Sequence, residues 1–274
     1  HDGVKVDDGQ EVRLGLSGST HITQTPLSNK CSKKPSLFNS LLEEKDDQHA
    51  LAEAFRSLRS SVLFVPPEAE RSRTILVTSA IPKDGKSTTA ANLAIMLARS
   101  GAQVLLVDTD LRQGQIHKEF AVPVSPGLAE VLGEKLDWAS VVTHNSVANL
   151  SIVPRGTASH HPGELFVKST QQQFLQEASS KYDFVVLDSP PVMAADDASN
   201  LVPYVDVVLM VIRANHTSGR VARAALELLR LRRAKFVGIV FNGVNAGDHF
   251  NFYQYKEYYT SAKADPIKPA RGTE

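Results

Sequence analysis

The chain has 274 residues, of which 42% are hydrophobic, and its formal net charge at pH 7 is zero. That is enough apolar material for one large domain or two small ones, and a balanced charge gives no footprint for nucleic acid or an acidic surface. No apolar run approaches the roughly 20 residues that span a bilayer, and the single cysteine, Cys31, excludes an internal disulfide and fits a reducing compartment.

Residues 1–48 are polar, rich in Gly, Ser, Thr, Asp and Lys, and show no sustained period; they read as a linker or flexible arm. Only Val12-Arg13-Leu14-Gly15-Leu16 alternates, enough for one stray strand. Cys31 lies in this polar stretch, which gives it no catalytic role. No signal-peptide pattern opens the chain, and a start on His rather than Met is expected of a fragment of something longer. From residue 49 to 64 the spacing predicts a helix. Leu51, Phe55, Leu58 and Val62 form one narrow apolar stripe. Glu53, Arg56 and Arg59 follow a second path at i, i+3 and i+6. On the residues alone, a solvated face with a local ion pair is preferred for that triplet over a contact with another subunit. Pro66-Pro67 ends the helix.

From Arg73 onward strands and helices alternate. A strand at 74–79 leads through a tight loop into a helix at 87–99, which Gly101 caps. Further strands are expected at 103–107, 150–154, 184–187, 206–212 and 236–241. Short helices are expected within 127–143, and longer ones at 164–182 and 217–233. The strands are continuous apolar runs, which implies an α/β fold with a mostly parallel sheet covered by helices on both faces. The predicted domains are an arm at 1–48, a nucleotide-binding domain at 49–243 and a tail at 244–274. Four of the chain's six tyrosines, Tyr253, Tyr255, Tyr258 and Tyr259, fall within seven residues of that tail.

The chemistry concentrates at three strand ends. Ala80-Ile81-Pro82-Lys83-Asp84-Gly85-Lys86-Ser87 fits the phosphate-binding loop pattern, with Ala80 where Gly is usual. Backbone N–H groups of Lys83, Asp84 and Gly85 and of the following helix turn, with Thr88, can face an anion at the positive end of the helix dipole. Gly85 lets the backbone approach closely. Lys86 supplies a cation for the β- and γ-phosphates of ATP, and the Ser87 hydroxyl a ligand for Mg²⁺. Asp188, after four apolar residues, fits an acidic motif that holds Mg²⁺ through water; a strand-end Asp capping the next turn is the bland alternative. Asp108 and Asp110 flank one residue at another strand end. A simple ATPase does not need this pair. It makes sense if one carboxylate accepts a proton from an incoming hydroxyl and the other steadies the metal; two solvated carboxylates at a loop start are the alternative. Arg112 can offset this negative charge or reach a phosphate. Arg213 and Asn242 end strands on the same edge and are candidates to contact the nucleotide base. His160 and His161 have no metal-ligand spacing to other His or Cys and read as surface residues. Arg220, Arg223, Arg230, Arg232 and Arg233 read as a solvated helix face that can receive an acidic or phosphorylated segment.

The residues 80–87, then Leu105-Leu106-Val107-Asp108-Thr109-Asp110-Leu111-Arg112, then Val185-Val186-Leu187-Asp188-Ser189-Pro190-Pro191 resemble the three nucleotide motifs of the bacterial tyrosine kinases. Glu53-x-x-Arg56-x-x-Arg59 matches that family's ring-assembly motif, and the tyrosine cluster completes the set. The resemblance covers about residues 50–260. It implies an ATP- and Mg²⁺-dependent autokinase with a phosphate-binding-loop NTPase fold. Asp108 is then the base for the tyrosine hydroxyl, and Ser87, Asp110 and Asp188 hold the metal. Tyr253, Tyr255, Tyr258 and Tyr259 are phosphorylated in a neighbour's active site. Glu53, Arg56 and Arg59 build the contact of a ring-like homo-oligomer, an octamer being one form, which reverses the preference stated above. The resemblance also implies a transmembrane chain-length regulator, expected in the same full-length chain, with the kinase as a cytoplasmic domain at the bacterial inner membrane. A cognate tyrosine phosphatase, a role in exopolysaccharide polymerisation and export, and no nucleic-acid partner go with it. The sequence departs from the family in having Gly114 where Pro is frequent, and its tyrosine cluster is modest. Partitioning ATPases of the ParA and MinD type share the fold, but their signature carries an extra lysine where this chain has Ile81, and they lack the tyrosine tail. A nucleotide-binding scaffold without chemistry is the third reading.

Overall fold

The computed structural model describes residues 49–65, 72–157, 162–166 and 169–244. The readings made for residues 1–48, Cys31, His160, His161 and the four tail tyrosines lie outside the described residues.

Seven strands form one sheet among the described residues: β1 (Arg73–Ser79), β2 (Val104–Asp108), β3 (Thr143–His144), β4 (Leu150–Val153), β5 (Phe184–Asp188), β6 (Val207–Arg213) and β7 (Val237–Asn242). Their spatial order is β3-β4-β2-β5-β1-β6-β7. Every pairing is parallel except β3 with β4. The helices are α1 (His49–Phe64), α2 (Lys86–Arg99), α3 (Ile116–Glu119), α4 (Leu128–Leu132), α5 (Pro162–Leu165), α6 (Ser169–Lys181), α7 (Asp196–Leu201) and α8 (Gly219–Leu231).

The strands are continuously apolar because both sheet faces are buried. On one face Ile75, Val77, Leu106, Val186 and Val211 pack with α2, whose residues 89–98 are all buried. On the other, Leu76, Leu105, Val107, Leu187 and Met210 pack with Leu132 of α4, Phe174 of α6 and Leu229 of α8. Alternate residues of each strand therefore feed two cores. The stripe of α1 faces inward as its spacing predicts: Val62 joins the α2 core, Phe55 packs on Met96, and Leu51 and Leu58 are partly buried beside them. Arg73, at the start of β1, donates from Nη1 to the Val62 carbonyl at 2.7 Å and ties the end of α1 to the sheet.

Three features differ from the sequence expectation. The single helix expected over 164–182 is two, α5 and α6. Phe166, in the turn after α5, is 1% exposed, so the helix breaks where this ring enters the core. The sheet is mostly parallel as expected, but it has an edge strand that was not: Thr143, the last residue of the segment expected as helix, and His144 fold back antiparallel on β4. The Asn145 side chain accepts the Val147 N–H at 2.6 Å, a local bond that favours a turn over helix. The helices α3 and α7 were not foreseen; each is six residues or fewer and too short to show a period.

Candidate active site

Because β1, β2, β5, β6 and β7 are parallel, their carboxyl ends share one sheet edge, where ligands of such folds bind. The loop after β1 opens directly into α2. Lys83 and Gly85 take left-handed backbone angles, φ 70° and 95°. Gly85 is required twice: for that angle, and because a Cβ there would lie 2.2 Å from Nδ2 of Asn242. Thr89 fastens the first turn of α2, its N–H and its hydroxyl both donating to the Gly85 carbonyl at 2.9 Å.

The carboxylates converge on this loop. Asp108 and Asp188 are register partners at the ends of adjacent strands β2 and β5. The Lys86 ammonium is 4.0 Å from Oδ2 of Asp110. Burial first, and then the charge of Asp188, hold the Asp108 carboxyl well above the usual carboxylate range. Burial also pushes Asp188 up to about 6, with Asp110 adding to the shift and Lys86 and the Ser87 hydroxyl opposing it. Two carboxyls buried side by side resist ionising together. Asp108 is nevertheless held in place. Its Oδ2 accepts the Ile116 N–H at 3.1 Å and its Oδ1 the Asp110 N–H at 3.3 Å. Gly114 covers it so closely that a Cβ there would lie 2.1 Å from Oδ1. Glycine rather than a bulkier residue at 114 is thus a packing requirement of this site.

The residues fit a Mg²⁺–nucleotide. Both oxygens of Asp188 are buried and reach no partner at bonding geometry, although the Ser87 hydroxyl dipole acts on them. A carboxylate left this way is suited to water molecules around a cation. No group of three or more His, Cys, Asp or Glu side chains is arranged to hold a metal among the described residues.

The other sequence candidates are placed as follows. Arg112 pairs with Asp197 of α7, Nε to Oδ2 at 3.3 Å, and offsets that buried carboxylate, while about half of its side chain stays exposed. Asp84 is fully buried, and its carboxylate accepts the Thr217 hydroxyl rather than facing the loop's hollow. The Arg213 guanidinium donates to the Lys83 carbonyl at 3.3 Å, and Asn242 Nδ2 to the Asp84 carbonyl at 2.9 Å. Thr88 lies in the first turn of α2, its carbonyl accepting Nδ2 of Asn92 at 2.9 Å. Glu53 and Arg56 form a local ion pair on the exposed side of α1, as the residues alone suggest. Arg59, half-buried, has a buried Nε without a hydrogen-bond partner. The five arginines of the α8 region are exposed. Sequence reasoning missed Asp197, His216, Thr217 and Ser79. Asp197 stands in the acidic pair that begins the short helix α7, and His216-Thr217 precedes the Ser218 cap of α8. Only the fold brings these to the site.

Comparison with known proteins agrees with this geometry. The AAA domain family matches residues 73–230. Tyrosine-protein kinase YwqD of Bacillus subtilis (strain 168) is 32% identical over 204 residues, 74% of this chain and 86% of that protein. Tyrosine-protein kinase ptk of Acinetobacter johnsonii is 30% identical over 246 residues, which are 88% of this chain and 33% of that protein. The chain thus spans about a third of the length of several relatives. The solved kinase domain of Escherichia coli tyrosine kinase ETK superposes with a TM-score of 0.69 at 31% identity, covering 73% of this chain and 78% of that one. The septum-site-determining protein MinD of Pyrococcus horikoshii, at 21% identity and a TM-score of 0.57, shares the fold alone.

Proposed function

The chain belongs to the bacterial tyrosine-kinase family, and from that premise we propose that it transfers the γ-phosphoryl group of ATP in trans to Tyr253, Tyr255, Tyr258 and Tyr259 of a neighbouring copy. The observation that carries the reading is the convergence of Lys86 with Asp108, Asp110 and Asp188 at one sheet edge. A phosphate cradle alone serves any nucleotide hydrolase, whereas the additional strand-end pair gives a place for a proton acceptor.

Lys86 and the N–H groups of the loop bind the β- and γ-phosphates, where donors set in advance stabilise the charge that spreads over the transferred group. Ser87, Asp110 and Asp188 are the residues that hold Mg²⁺. When bound, the ion supplies positive charge that neutralises the phosphates and favours the ionised carboxylates. Asp108 takes the phenol proton. It has no exposed surface here, so the phenol approaches only if the turn at residues 110–116 that covers it shifts.

Glu53, Arg56 and Arg59 form the contact of a ring in which one tail enters the next active site. Each phosphotyrosine adds about −1.5 to −2 charges, so several on one tail repel one another and the acidic edge, and the ring opens. In the cell the reading extends to a transmembrane chain-length regulator, attachment at the inner membrane, exopolysaccharide polymerisation and export, and a tyrosine phosphatase that resets the tail. No described helix is long and apolar enough to cross a membrane.

The test mixes two variants with ATP and Mg²⁺: the Lys86→Met chain, which keeps its tail, and a chain ending at residue 244. Phosphotyrosine on the Lys86→Met chain is the expected result; none on either chain contradicts transfer in trans. Native mass spectrometry of unphosphorylated and fully phosphorylated protein tests the ring. Identical oligomers in both states contradict its opening.

A further inference from the structure

Four consecutive carbonyls of the phosphate-binding loop are each bonded by a side chain. The Ser79 hydroxyl donates to the Ile81 carbonyl at 2.7 Å, and Nε2 of His216 to the Pro82 carbonyl at 3.1 Å. Arg213 donates to the Lys83 carbonyl at 3.3 Å, and Asn242 to the Asp84 carbonyl at 2.9 Å. The Thr217 hydroxyl adds a fifth bond, to Oδ1 of the buried Asp84 carboxylate. All but Ser79 come from the ends of β6 and β7 and the turn before α8, at least 130 residues along the chain.

In a trans peptide the carbonyl and the N–H of the next residue point in opposite directions. Fixing the Pro82, Lys83 and Asp84 carbonyls on one side therefore fixes the N–H groups of Lys83, Asp84 and Gly85 on the other, the side that faces a phosphate. A loop with left-handed angles at Lys83 and Gly85 is otherwise free to turn these peptides over. We propose that His216 and Thr217 are positioning residues for nucleotide binding. With Arg213 and Asn242 they form a brace that holds the loop's N–H groups in their anion-binding orientation before the nucleotide arrives. This inference rests on the nucleotide-binding part of the kinase reading. It revises the expectation for Arg213 and Asn242, which here grip the loop. The bond from His216 to a carbonyl requires a proton on Nε2.

The test is titration of ADP and ATP into the full chain, with wild type beside His216→Leu, His216→Gln, Thr217→Val and the His216→Leu/Thr217→Val double variant. Loss of the bond to the Pro82 carbonyl in His216→Leu should raise Kd roughly 5-fold; loss of the bond to the buried Asp84 side chain in Thr217→Val should raise it roughly 10-fold. The double variant should lose at least as much as Thr217→Val. His216→Gln keeps an N–H donor and should recover most of the affinity. In phosphotransfer assays KM for ATP should rise with Kd, while kcat at saturating ATP stays within about 2-fold, because the bonds act before chemistry. Unchanged affinity in the double variant overturns the proposal. So does a His216→Gln variant as weak as His216→Leu, since ring volume rather than the donor would then matter. The readout is ADP binding, so a failure of phosphotransfer in the wild type bears on the kinase reading alone.

Discussion

Asp188→Asn should make the ligand-free protein more stable at pH 8 and should remove one part of its pH dependence, the buried Asp108 carboxyl keeping the rest. The Asp188 carboxyl is fully buried and pushed from 3.8 to about 6. The folded state therefore binds this proton more tightly than the unfolded chain. Below the unfolded value both states are protonated and nothing is lost. As pH rises from about 4 through 6 the unfolded chain ionises first, and stability falls. A shift of roughly two units at 1.36 kcal/mol each makes the full loss about 3 kcal/mol. For a domain of this size that is roughly 6–12 °C in melting temperature. Asparagine removes the ionisation but keeps the shape. Its amide N–H groups, if left unpaired, subtract about 1–2 kcal/mol at every pH. The decisive quantity is thus the difference between variant and wild type as a function of pH. Thermal melts in chelator from pH 4 to pH 8.5 should show that difference growing in favour of Asp188→Asn through pH 6. A difference that stays constant with pH refutes the reasoning.

Other perturbations have equally direct outcomes. Gly85→Ala forces a side chain onto a left-handed residue and against Asn242; isothermal titration should show nucleotide binding lost or weakened at least 10-fold, with about 1–3 kcal/mol lost in folding stability. Replacing Glu53, Arg56 and Arg59 together by Ala should shift the oligomer toward monomer in native mass spectrometry, while costing less than about 1 kcal/mol in denaturant melts, because the visible Glu53–Arg56 pair is exposed. Asp206→Ala should cost roughly 3–5 kcal/mol in the same melts: its Oδ2 accepts both the N–H and the hydroxyl of Thr74, and Lys235 lies 3.7 Å from its Oδ1.

Much of this architecture is legible in the residues, for physical reasons. A strand buried on both faces has to be apolar throughout, so Ile75-Leu76-Val77, Leu105-Leu106-Val107 and Val185-Val186-Leu187 declare themselves. Each ends in a polar motif, and parallel strands bring those motifs to one edge. The Phe166 break was hidden because a buried aromatic suits a helix's apolar face as well as a turn. Partners separated by many residues were hidden too. The spacing of Arg112 gives no sign of the Asp197 carboxylate that the fold sets beside it. Asn242 and Arg213 were legible as strand-end residues of the right edge, but spacing does not reveal that they bond the loop's carbonyls. His216 and Thr217 carried only the signal of a polar turn before a helix.

The most direct test of the account is mass mapping of phosphotyrosine after incubation with ATP and Mg²⁺, with wild type beside Asp108→Asn and Lys86→Met. The account predicts phosphate on Tyr253, Tyr255, Tyr258 and Tyr259 in the wild type and a large loss in both variants. Release of inorganic phosphate with no modified tyrosine, or an Asp108→Asn chain that phosphorylates its tail at the wild-type rate, would contradict it.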